Sequence, residues 1–164
     1  MTETSAGRRG EGLRVRMATA RDVGTLVDFN ARLALETEGR RLDRERLRRG
    51  VLALLDRPGL GFYIVAEAEG QVVGSLMITY EWSDWRNGHF WWLQSVYVVP
   101  PWRRRGVFRT LFRHILEEAQ GRGDVCGLRV YVDRDNEAAR RTYQSMGMSP
   151  ARYDLLEWDF VLAE

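Results

Sequence analysis

An arginine-rich turn follows the most apolar segment of this chain. The apolar segment spans residues 90–99, two prolines end it, and residues 103–109 carry four arginines and Gly106 before a helix with an apolar stripe. Where a strand leads into a helix in this way, the first N–H groups of the helix have no internal acceptor and form an anion site. Guanidinium groups add charge-assisted hydrogen bonds. We therefore predict that this turn binds a diphosphate, the alternative being a solvated arginine surface.

A second segment places small and polar side chains on one face of a helix. Asn136, Ala139 and Tyr143 are spaced by three and four residues, which puts them in line along the helix. Such a face can pack along a narrow ligand. With an ordinary pKa of about 10, a tyrosine hydroxyl stays protonated at neutral pH and can donate a proton to a departing thiolate. Tyr143 is thus a candidate proton donor, the alternative being a tyrosine buried as part of the core.

Both segments resemble motifs of the GNAT superfamily of acyl-CoA-dependent N-acetyltransferases. Residues 103–108 are similar to the family's phosphate loop, Arg/Gln-x-x-Gly-x-Gly/Ala, and depart from it at Phe108, where the family usually has Gly or Ala. Residues 135–148 are similar to the family segment Asn-x-x-Ala-x-x-x-Tyr-x-x-x-Gly-Phe. Because the two motifs occur in the family's order, the resemblance implies the family's fold from Leu13 to the end of the chain.

The resemblance implies an N-acetyltransferase that moves an acetyl group from acetyl-CoA to a primary amine by direct attack, with no metal. In the family, backbone groups of the central strand hold the pantetheine and point an N–H at the thioester oxygen, which here implicates Val96 and Val98. Tyr143 takes the general-acid position of the family. The residues assigned in this way to coenzyme A are Val96, Tyr97, Val98, Arg103, Arg104, Arg105, Gly106, Val107, Phe108, Arg109, Asn136, Ala139 and Tyr143.

The group that accepts the proton of the amine is less clearly marked. Many members of the family have a Glu on the central strand before these backbone contacts, but residues 91–95 contain no carboxylate. The proton acceptor must then be water or a group elsewhere. Each candidate taken alone is typical of a solvated surface charge, although together the acids can attract a cationic substrate. The candidates are Glu36, Glu38, Glu81, Asp84 and His89, of which we take Glu36 and Glu81 as catalytic.

Aromatic side chains are concentrated in residues 80–86 and at Trp91 and Trp92. If exposed, they could line a substrate pocket and hold a cation against a ring face. Core packing or a dimer interface would use the same residues, and for Trp91 and Trp92 we favour one of these. We therefore expect a small-molecule or peptide amine as substrate, and a homodimer is left open.

The elements that must position these residues follow from hydrophobic periodicity. Thr19 and Asp22 form a capping-box pattern, and Asp43 and Asn136 or Asp135 are typical helix caps. The fold class expected is α/β (α+β), with a mixed, mostly antiparallel sheet of six to seven strands flanked by helices in the order β-α-α-β-β-β-α-β-α-β. The predicted strands are residues 13–17, 62–68, 72–80, 90–99, 128–132 and 153–162, and the predicted helices are residues 19–38, 43–57, 107–120 and 136–146.

Length and composition limit the number of domains and the location that we expect for this protein. With 164 residues, of which 45% are hydrophobic, the chain can bury one substantial core. We expect a disordered tail over residues 1–12 and one domain over residues 13–164. Without an apolar leader or a long apolar stretch, we expect a cytoplasmic protein that does not bind a membrane.

Two alternative functions remain open at this stage. One is a non-catalytic module that binds acyl-CoA as a sensor or regulator, for which Phe108 and the absence of a strand carboxylate are the motives. The other is nucleic-acid binding through the arginines of residues 40–49, which would be steeply salt-dependent. The net charge of +2 is too small to predict the latter, so we expect no nucleic-acid partner.

Overall fold

The computed structural model describes residues 12–162. Contacts divide the chain into two compact units, the first ending at Tyr131 and the second beginning at Val132. The first unit contains the sheet and three of the described α-helices, and the second contains one α-helix and the C-terminal segment. Residues 1–11, which make up almost all of the predicted tail, lie outside the described residues, and one domain over 13–164 stays a prediction.

The first unit is built on a sheet of five strands in the order β1-β2-β3-β4-β5. Strands β1 to β4 pair antiparallel in sequence, and β5 pairs parallel to β4. The fold class and the mostly antiparallel sheet are therefore confirmed. The strands are β1 (Arg14–Met17), β2 (Gly61–Ala68), β3 (Gln71–Ser83), β4 (Gly88–Val98) and β5 (Val125–Val130).

The helices begin where the sequence predicts caps. Thr19 N–H donates to Asp22 Oδ2 at 2.7 Å, and Arg46 N–H donates to Asp43 Oδ1 at 2.8 Å. Each bond satisfies a backbone donor near a helix start. The α-helices are α1 (Val23–Glu38), α2 (Arg44–Asp56), α3 (Val107–Gln120) and, in the second unit, α4 (Glu137–Ser145). Two short 3-10 helices, Ala20–Asp22 and Pro100–Trp102, precede α1 and the arginine-rich loop.

The helices of the first unit lie on opposite faces of the sheet. Apolar residues of α1 and α2 form one cluster with Tyr63 and Val65 of β2, and we name this side of the sheet the α1 face. Ser75 pairs with Val65 and so lies on that face. Its neighbour Gly74 lies on the other, where an added Cβ would come within 2.9 Å of Val107 of α3. That side, the α3 face, therefore needs glycine at position 74 for close packing.

The predicted sixth strand is wrong, and so is the expected count of six to seven strands. Residues 146–162 contain no strand, and within them Leu156, Trp158 and Phe160 are more than 80% exposed. Alternation of apolar residues specifies a surface that suits a strand, but it does not supply a strand to pair with. Asp159 also accepts hydrogen bonds from the N–H groups of Val161 and Leu162, both at 2.7 Å, which compete with ladder pairing.

Candidate active site

The turn after β4 has the backbone of an anion-binding loop. Arg104 and Gly106 have φ values of 62° and 89°, so the chain turns sharply twice before α3. The first α-helical hydrogen bond runs from Thr110 N–H to Gly106 C=O at 2.9 Å. The N–H groups of residues 107–109 therefore have no acceptor within the helix. A Cβ built on Gly106 would meet no atom within 4 Å, so this side of the loop is open.

The four arginines of the loop are not equivalent. Arg103 is held by the protein, since its Nε donates to Val98 C=O at 2.8 Å and its Nη2 to Glu36 Oε2 at 2.6 Å. Arg105 lies over the ring of Trp102, with 4.1 Å between Cζ and the ring centroid. Arg104 and Arg109 are exposed at the loop and in the first turn of α3. The fit to a diphosphate therefore rests on the main-chain N–H groups with Arg104, Arg105 and Arg109.

Phe108, which departs from the family pattern, is half-buried in the first turn of α3. Its ring centroid lies 6.1 Å from that of Phe112, one turn further along the helix. Phe112 is itself 4% exposed and part of the core on the α3 face. The aromatic side chain thus packs along α3, and the N–H of Phe108 remains at the helix start.

Strand β4 carries an extra residue shortly before this loop. Ser75 pairs with Tyr97 and Met77 with Gln94, so two residues of β4, Ser95 and Val96, face one residue of β3. This is a β-bulge, and Ser95 adopts a φ of 48°. On the other side of β4, pairing with β5 extends only to Leu93 and Val130. Beyond these residues, β4 has no parallel partner within the described β5.

Main-chain groups of β4 beyond the bulge alternate in direction. Val99 N–H donates to Val73 C=O at 3.0 Å, toward β3, whereas Val98 C=O accepts from the Arg103 side chain and faces away from β3. Because hydrogen-bonding groups alternate along a strand, those of Val96 also face away from β3. Both residues assigned to the thioester by sequence therefore present backbone groups where β4 and β5 no longer pair.

Glu36, near the end of α1, is held over this part of β4. Its carboxylate accepts from Tyr97 Oη at 2.8 Å and from Arg103 Nη2 at 2.6 Å. Burial opposes the charge, but the bonds from Arg103 and Tyr97 outweigh it and lower the pKa of Glu36. Burial, followed by Glu36, raises the pKa of Tyr97. Glu36 is thus ionised at neutral pH and a weaker proton acceptor than an ordinary glutamate.

Glu81 belongs to a cluster on the α1 face of β3, β4 and β5. Its Oε2 accepts from Trp92 Nε1 at 3.0 Å and forms an ion pair with Arg129. The Arg129 guanidinium lies 3.7 Å from the centroid of the Phe90 ring. The Trp92 ring stacks on Tyr131, with 4.2 Å between centroids. We name these five residues the aromatic ion-pair cluster; it combines a carboxylate with flat ring surfaces.

The remaining candidates for the proton acceptor lie elsewhere. His89 packs edge-on against Trp82, with 5.0 Å between ring centroids, and also against Tyr80. Its neighbour Phe90 pairs with Glu81 on the α1 face, so His89 points to the opposite side. Asp84 accepts from Trp85 N–H at 2.9 Å in the β3–β4 turn, and Glu38 is exposed at the end of α1. The structure does not bring these three together.

The second unit carries the other sequence motif on α4. Asn136 caps the helix, since its Oδ1 accepts from Ala139 N–H at 3.0 Å. Burial raises the pKa of Tyr143 to about 12, which keeps its hydroxyl protonated over the physiological range. Gly147 follows the helix with a φ of 96°, as expected of a residue after the C-cap.

Several residues near the bulge were missed by reading the sequence. Asn30 Nδ2 donates to Tyr63 Oη at 3.0 Å beneath α1, and both side chains are buried. Ser95 was missed because nothing local marks its positive φ, and Arg129 because it meets Glu81 and Phe90 only through strand pairing. Of these residues, only Asn30 could have been noticed in the sequence, because it is a polar residue within the apolar stripe of α1.

In the part of the chain that the structure describes, no helix has both the length and the apolar character required to cross a bilayer.

Comparison with known proteins gives a consistent result. A family model, the acetyltransferase (GNAT) family, matches residues 27–148. A possible acetyltransferase from Clostridium difficile 630 is 42% identical, covers 92% of this chain and 99% of its own, and superposes with a TM-score of 0.85.

Two more distant structures share the fold. A predicted acetyltransferase from Clostridium acetobutylicum, solved with acetyl-CoA, is 19% identical over 90% of this chain and 96% of its own, with a TM-score of 0.73. An aminoglycoside acetyltransferase from an uncultured soil metagenomic sample, solved with sisomicin, is 16% identical over 93% and 97%, with a TM-score of 0.70. Since the family model matches more than half of the sequence, this chain belongs to the acetyltransferase (GNAT) family.

Proposed function

We propose that this protein is an N-acetyltransferase that transfers an acetyl group from acetyl-CoA to a primary amine by direct attack. The observation that carries the proposal is the arrangement at the end of β4. A bulge at Ser95 lies where β4 leaves β5, and the arginine-rich loop with Gly106 opens α3 a few residues later. One continuous segment thus presents backbone groups for a thioester and a positively charged helix start for a diphosphate.

The cofactor's residues can be assigned from this arrangement. The N–H groups of residues 107–109, with Arg104, Arg105 and Arg109, would hold the diphosphate. The backbone of Val96 and Val98 would hold the pantetheine and polarise the carbonyl oxygen. Acetyl-CoA, when bound, supplies the acetyl thioester, from which the thiolate leaves as the amine attacks. Asn136, Ala139 and Tyr143 stay assigned to coenzyme A by the resemblance of their segment to the family motif.

Proton movements are assigned to two side chains, Tyr143 and Glu81, and Glu36 is given another role. The raised pKa of Tyr143, about 12, keeps its hydroxyl proton in place at neutral pH, and we assign this proton to the departing thiolate. Glu81 is the carboxylate that we assign as proton acceptor for the amine. Glu36 is tied to Arg103 and Tyr97, and with its lowered pKa it is better suited to fix the start of the loop.

The acceptor is proposed to be a small, cationic or neutral amine that approaches over the aromatic ion-pair cluster. Trp92 and Tyr131 offer ring surfaces for a cationic group of the acceptor, and the Glu81 carboxylate beside them faces the reacting amine. The aminoglycoside acceptor of one structural neighbour is an amine of this kind. Glu81 is paired with Arg129, so a cationic acceptor would have to compete with that ion pair.

The test uses acetyl-CoA binding and turnover. Calorimetry with acetyl-CoA should give saturable heat, and coenzyme A release should rise with one or more members of a panel of primary amines. Replacing Gly106 by Ala forces a side chain into a positive φ and should weaken acetyl-CoA binding about tenfold. Gly70→Ala imposes a similar strain, at a φ of 74° in the β2–β3 turn, and should leave binding unchanged. Equal effects of the two substitutions would contradict the assignment of the loop.

A second function has one observation in its favour. Both carboxylates that the sequence marked as candidate catalytic groups are ion-paired with an arginine, Glu36 with Arg103 and Glu81 with Arg129. A module that binds acyl-CoA without acetylating an amine would need neither carboxylate. Saturable acetyl-CoA binding with no coenzyme A release across the amine panel would favour this module over the enzyme.

A further inference from the structure

A positive charge of the protein lies within the aromatic ion-pair cluster. Arg129 pairs with Trp92 in the register of β5 and β4, so both side chains lie on the α1 face. The Cζ of Arg129 is 3.7 Å from the centroid of the Phe90 ring and 5.9 Å from that of the Trp92 ring. A cation within about 6 Å of a ring centroid is attracted to the ring face. The Arg129 guanidinium therefore occupies the place where these rings favour a cation.

A carboxylate completes the surroundings of this cation. Glu81 Oε2 forms an ion pair with Arg129 and accepts from Trp92 Nε1 at 3.0 Å. The bond from Trp92 holds the carboxylate beside the rings, where it can pair with an ammonium or guanidinium group that lies over them. The cluster thus has the chemistry of a binding site for a cation, and the cation that it holds is Arg129.

A second arginine adds to the positive charge at the same ring. The Cζ of Arg86, in the β3–β4 turn, lies 5.0 Å from the Phe90 centroid. Its Nη1 donates to Ser83 Oγ at 3.4 Å, so Arg86 is held by the turn and is not part of the Glu81 ion pair. An additional cation at Phe90 would meet two guanidinium groups and one carboxylate. Charge repulsion opposes its binding unless one of the guanidinium groups moves away.

Of the two arginines, Arg129 is the one whose place a ligand can take. Its side chain is 33% exposed and that of Glu81 is 44% exposed, so solvent screens their ion pair. Arginine has a long side chain with several rotatable bonds. Strand β5 is the last strand of the described sheet, so no further described strand covers Arg129 on that side. The guanidinium can therefore move out to solvent, and what opposes this movement is its ion pair and its ring contacts.

We propose that Arg129 is a specificity-determining residue that occupies the cation position of the cluster and thereby weakens the binding of acceptors with a second positive charge. An amine attacks a thioester in its neutral form, so a monoamine carries no charge when it reacts. A diamine carries the ammonium of its second amino group, which stays protonated at neutral pH as lysine does. That ammonium must displace the Arg129 guanidinium or bind beside it against charge repulsion. This inference rests on the proposed function, because it requires an acceptor that approaches over the cluster.

The experiment compares acceptors that differ by one amino group. Each matched pair consists of an amine that the wild type turns over and its analogue with one amino group more or fewer, as in butylamine and 1,4-diaminobutane. Coenzyme A release at neutral pH gives the ratio of kcat/KM for the diamine to that for the monoamine. Arg129→Met should raise this ratio about tenfold, through a lower KM for the diamine, as expected for the loss of an ion pair and a ring contact. An effect of Arg129 on the Glu81 carboxylate acts on both amines and cancels in the ratio.

The matched control is an arginine in similar surroundings on the other side of the sheet. Arg122 pairs with the Asp124 carboxylate, and its Cζ lies 5.7 Å from the centroid of the Trp91 ring. Trp91 is the neighbour of Trp92 in β4, so its ring lies on the α3 face. Arg122→Met should therefore leave the ratio at its wild-type value. Arg129→Lys keeps the positive charge and should bring the ratio to within about threefold of the wild type.

The outcomes separate this inference from the proposed function. If the wild-type protein releases no coenzyme A with any amine, the proposed function fails and the inference fails with it. If the wild type turns over an amine, three results overturn the inference alone: a ratio for Arg129→Met that is equal to or below the wild-type ratio, an equal rise with Arg122→Met, or an equal rise with Arg129→Lys. Thermal unfolding of every variant is followed alongside. Should Arg129→Met fail to fold, Arg129→Gln, which is also neutral, decides by the same criteria.

Discussion

Helices α1 and α3 lie on opposite faces of one sheet and are attached to it by different chemistry. The buried residues of α3 are all apolar: Val107, Leu111, Phe112, Ile115 and Ala119. Helix α1 also buries an apolar stripe, but among the described residues α1 and its N-cap residue Asp22 add polar contacts to the sheet at three points. These are the bonds of Asp22 to Arg16, of Asn30 to Tyr63 and of Glu36 to Tyr97.

The two kinds of attachment stabilise and position the helices differently. Apolar burial stabilises without regard to direction, whereas a hydrogen bond requires a particular distance and angle. The α3 face can therefore supply most of the stability, and the polar contacts of α1 fix its position along the strands. One of them, from Glu36, leads to Tyr97, which lies just after the bulge of β4. The α1 face thus positions the backbone that we assign to the thioester.

The largest expected effect tests the α3 face. Ile115 is fully buried, so Ile115→Ala should lower the free energy of unfolding by about 2–5 kcal/mol, through lost burial and a cavity. Ile115→Val, which removes one methyl group, should lower it by about 0.5–1.5 kcal/mol. Urea denaturation at 25 °C measures both. Under conditions where both variants are folded, their Kd for acetyl-CoA should equal that of the wild type, and a weakened Kd would show that the α3 face also positions the site.

A smaller effect, with a definite pH dependence, is expected at the first polar contact of α1. The hydrogen bond from Arg16 holds the pKa of Asp22 at about 2, below its ordinary value of 3.8. A lowered folded-state pKa stabilises the protein above the unfolded value, and that stability is lost as the pH falls from about 4 toward 2. The shift corresponds to about 2 kcal/mol.

Asp22→Asn should remove this contribution. The variant should be less stable than the wild type at pH 7 by about 2 kcal/mol, and the difference should shrink between pH 4 and pH 2. The matched control is Asp124→Asn, since Asp124 also pairs with an arginine, Arg122, but is 54% exposed. Its unfolding profile should stay close to that of the wild type. A constant difference for Asp22→Asn from pH 7 to pH 2 would mean that packing, and not charge, is what Asp22 contributes.

How much of this could be predicted from the sequence depends on the range of the interaction. The caps at Thr19 and Asp43 involve residues three apart; the pair of Thr19 with Asp22 was predicted, and Asp43 was predicted as a cap without its partner Arg46. The turn around Gly106 between a strand and a helix was predicted because its pattern is local, and its binding of a diphosphate stays a prediction. The strand predicted over residues 153–162 was wrong because alternating apolar and polar residues favour a strand but do not determine which strand it would pair with.

The contacts that organise the candidate site are long-range. Glu36 and Arg103 are 67 positions apart, and Asn30 and Tyr63 are 33 apart. Ser95 is not a residue that marks a positive φ, so the bulge had no local signal. Such contacts follow from strand pairing and helix placement, which a periodic pattern does not specify. The residue types were visible in the sequence, and their partners were not.

The smallest expected effect on stability concerns the last polar contact of α1. Glu36 and Arg103 are each more than 40% exposed, so solvent screens their ion pair, and Glu36→Gln should change the free energy of unfolding by less than about 1 kcal/mol. The amide can still accept the hydrogen bond of Tyr97.

The same substitution tests the role of Glu36 in the reaction. If Glu36 positions the loop, as its lowered pKa favours, Glu36→Gln should lower the rate of coenzyme A release by less than about tenfold, whereas Glu81→Gln should lower it more. A loss of a hundredfold or more with Glu36→Gln, at unchanged stability, would instead identify Glu36 as the proton acceptor. In that case a side chain on the α1 face would take part in the reaction as well as position the loop.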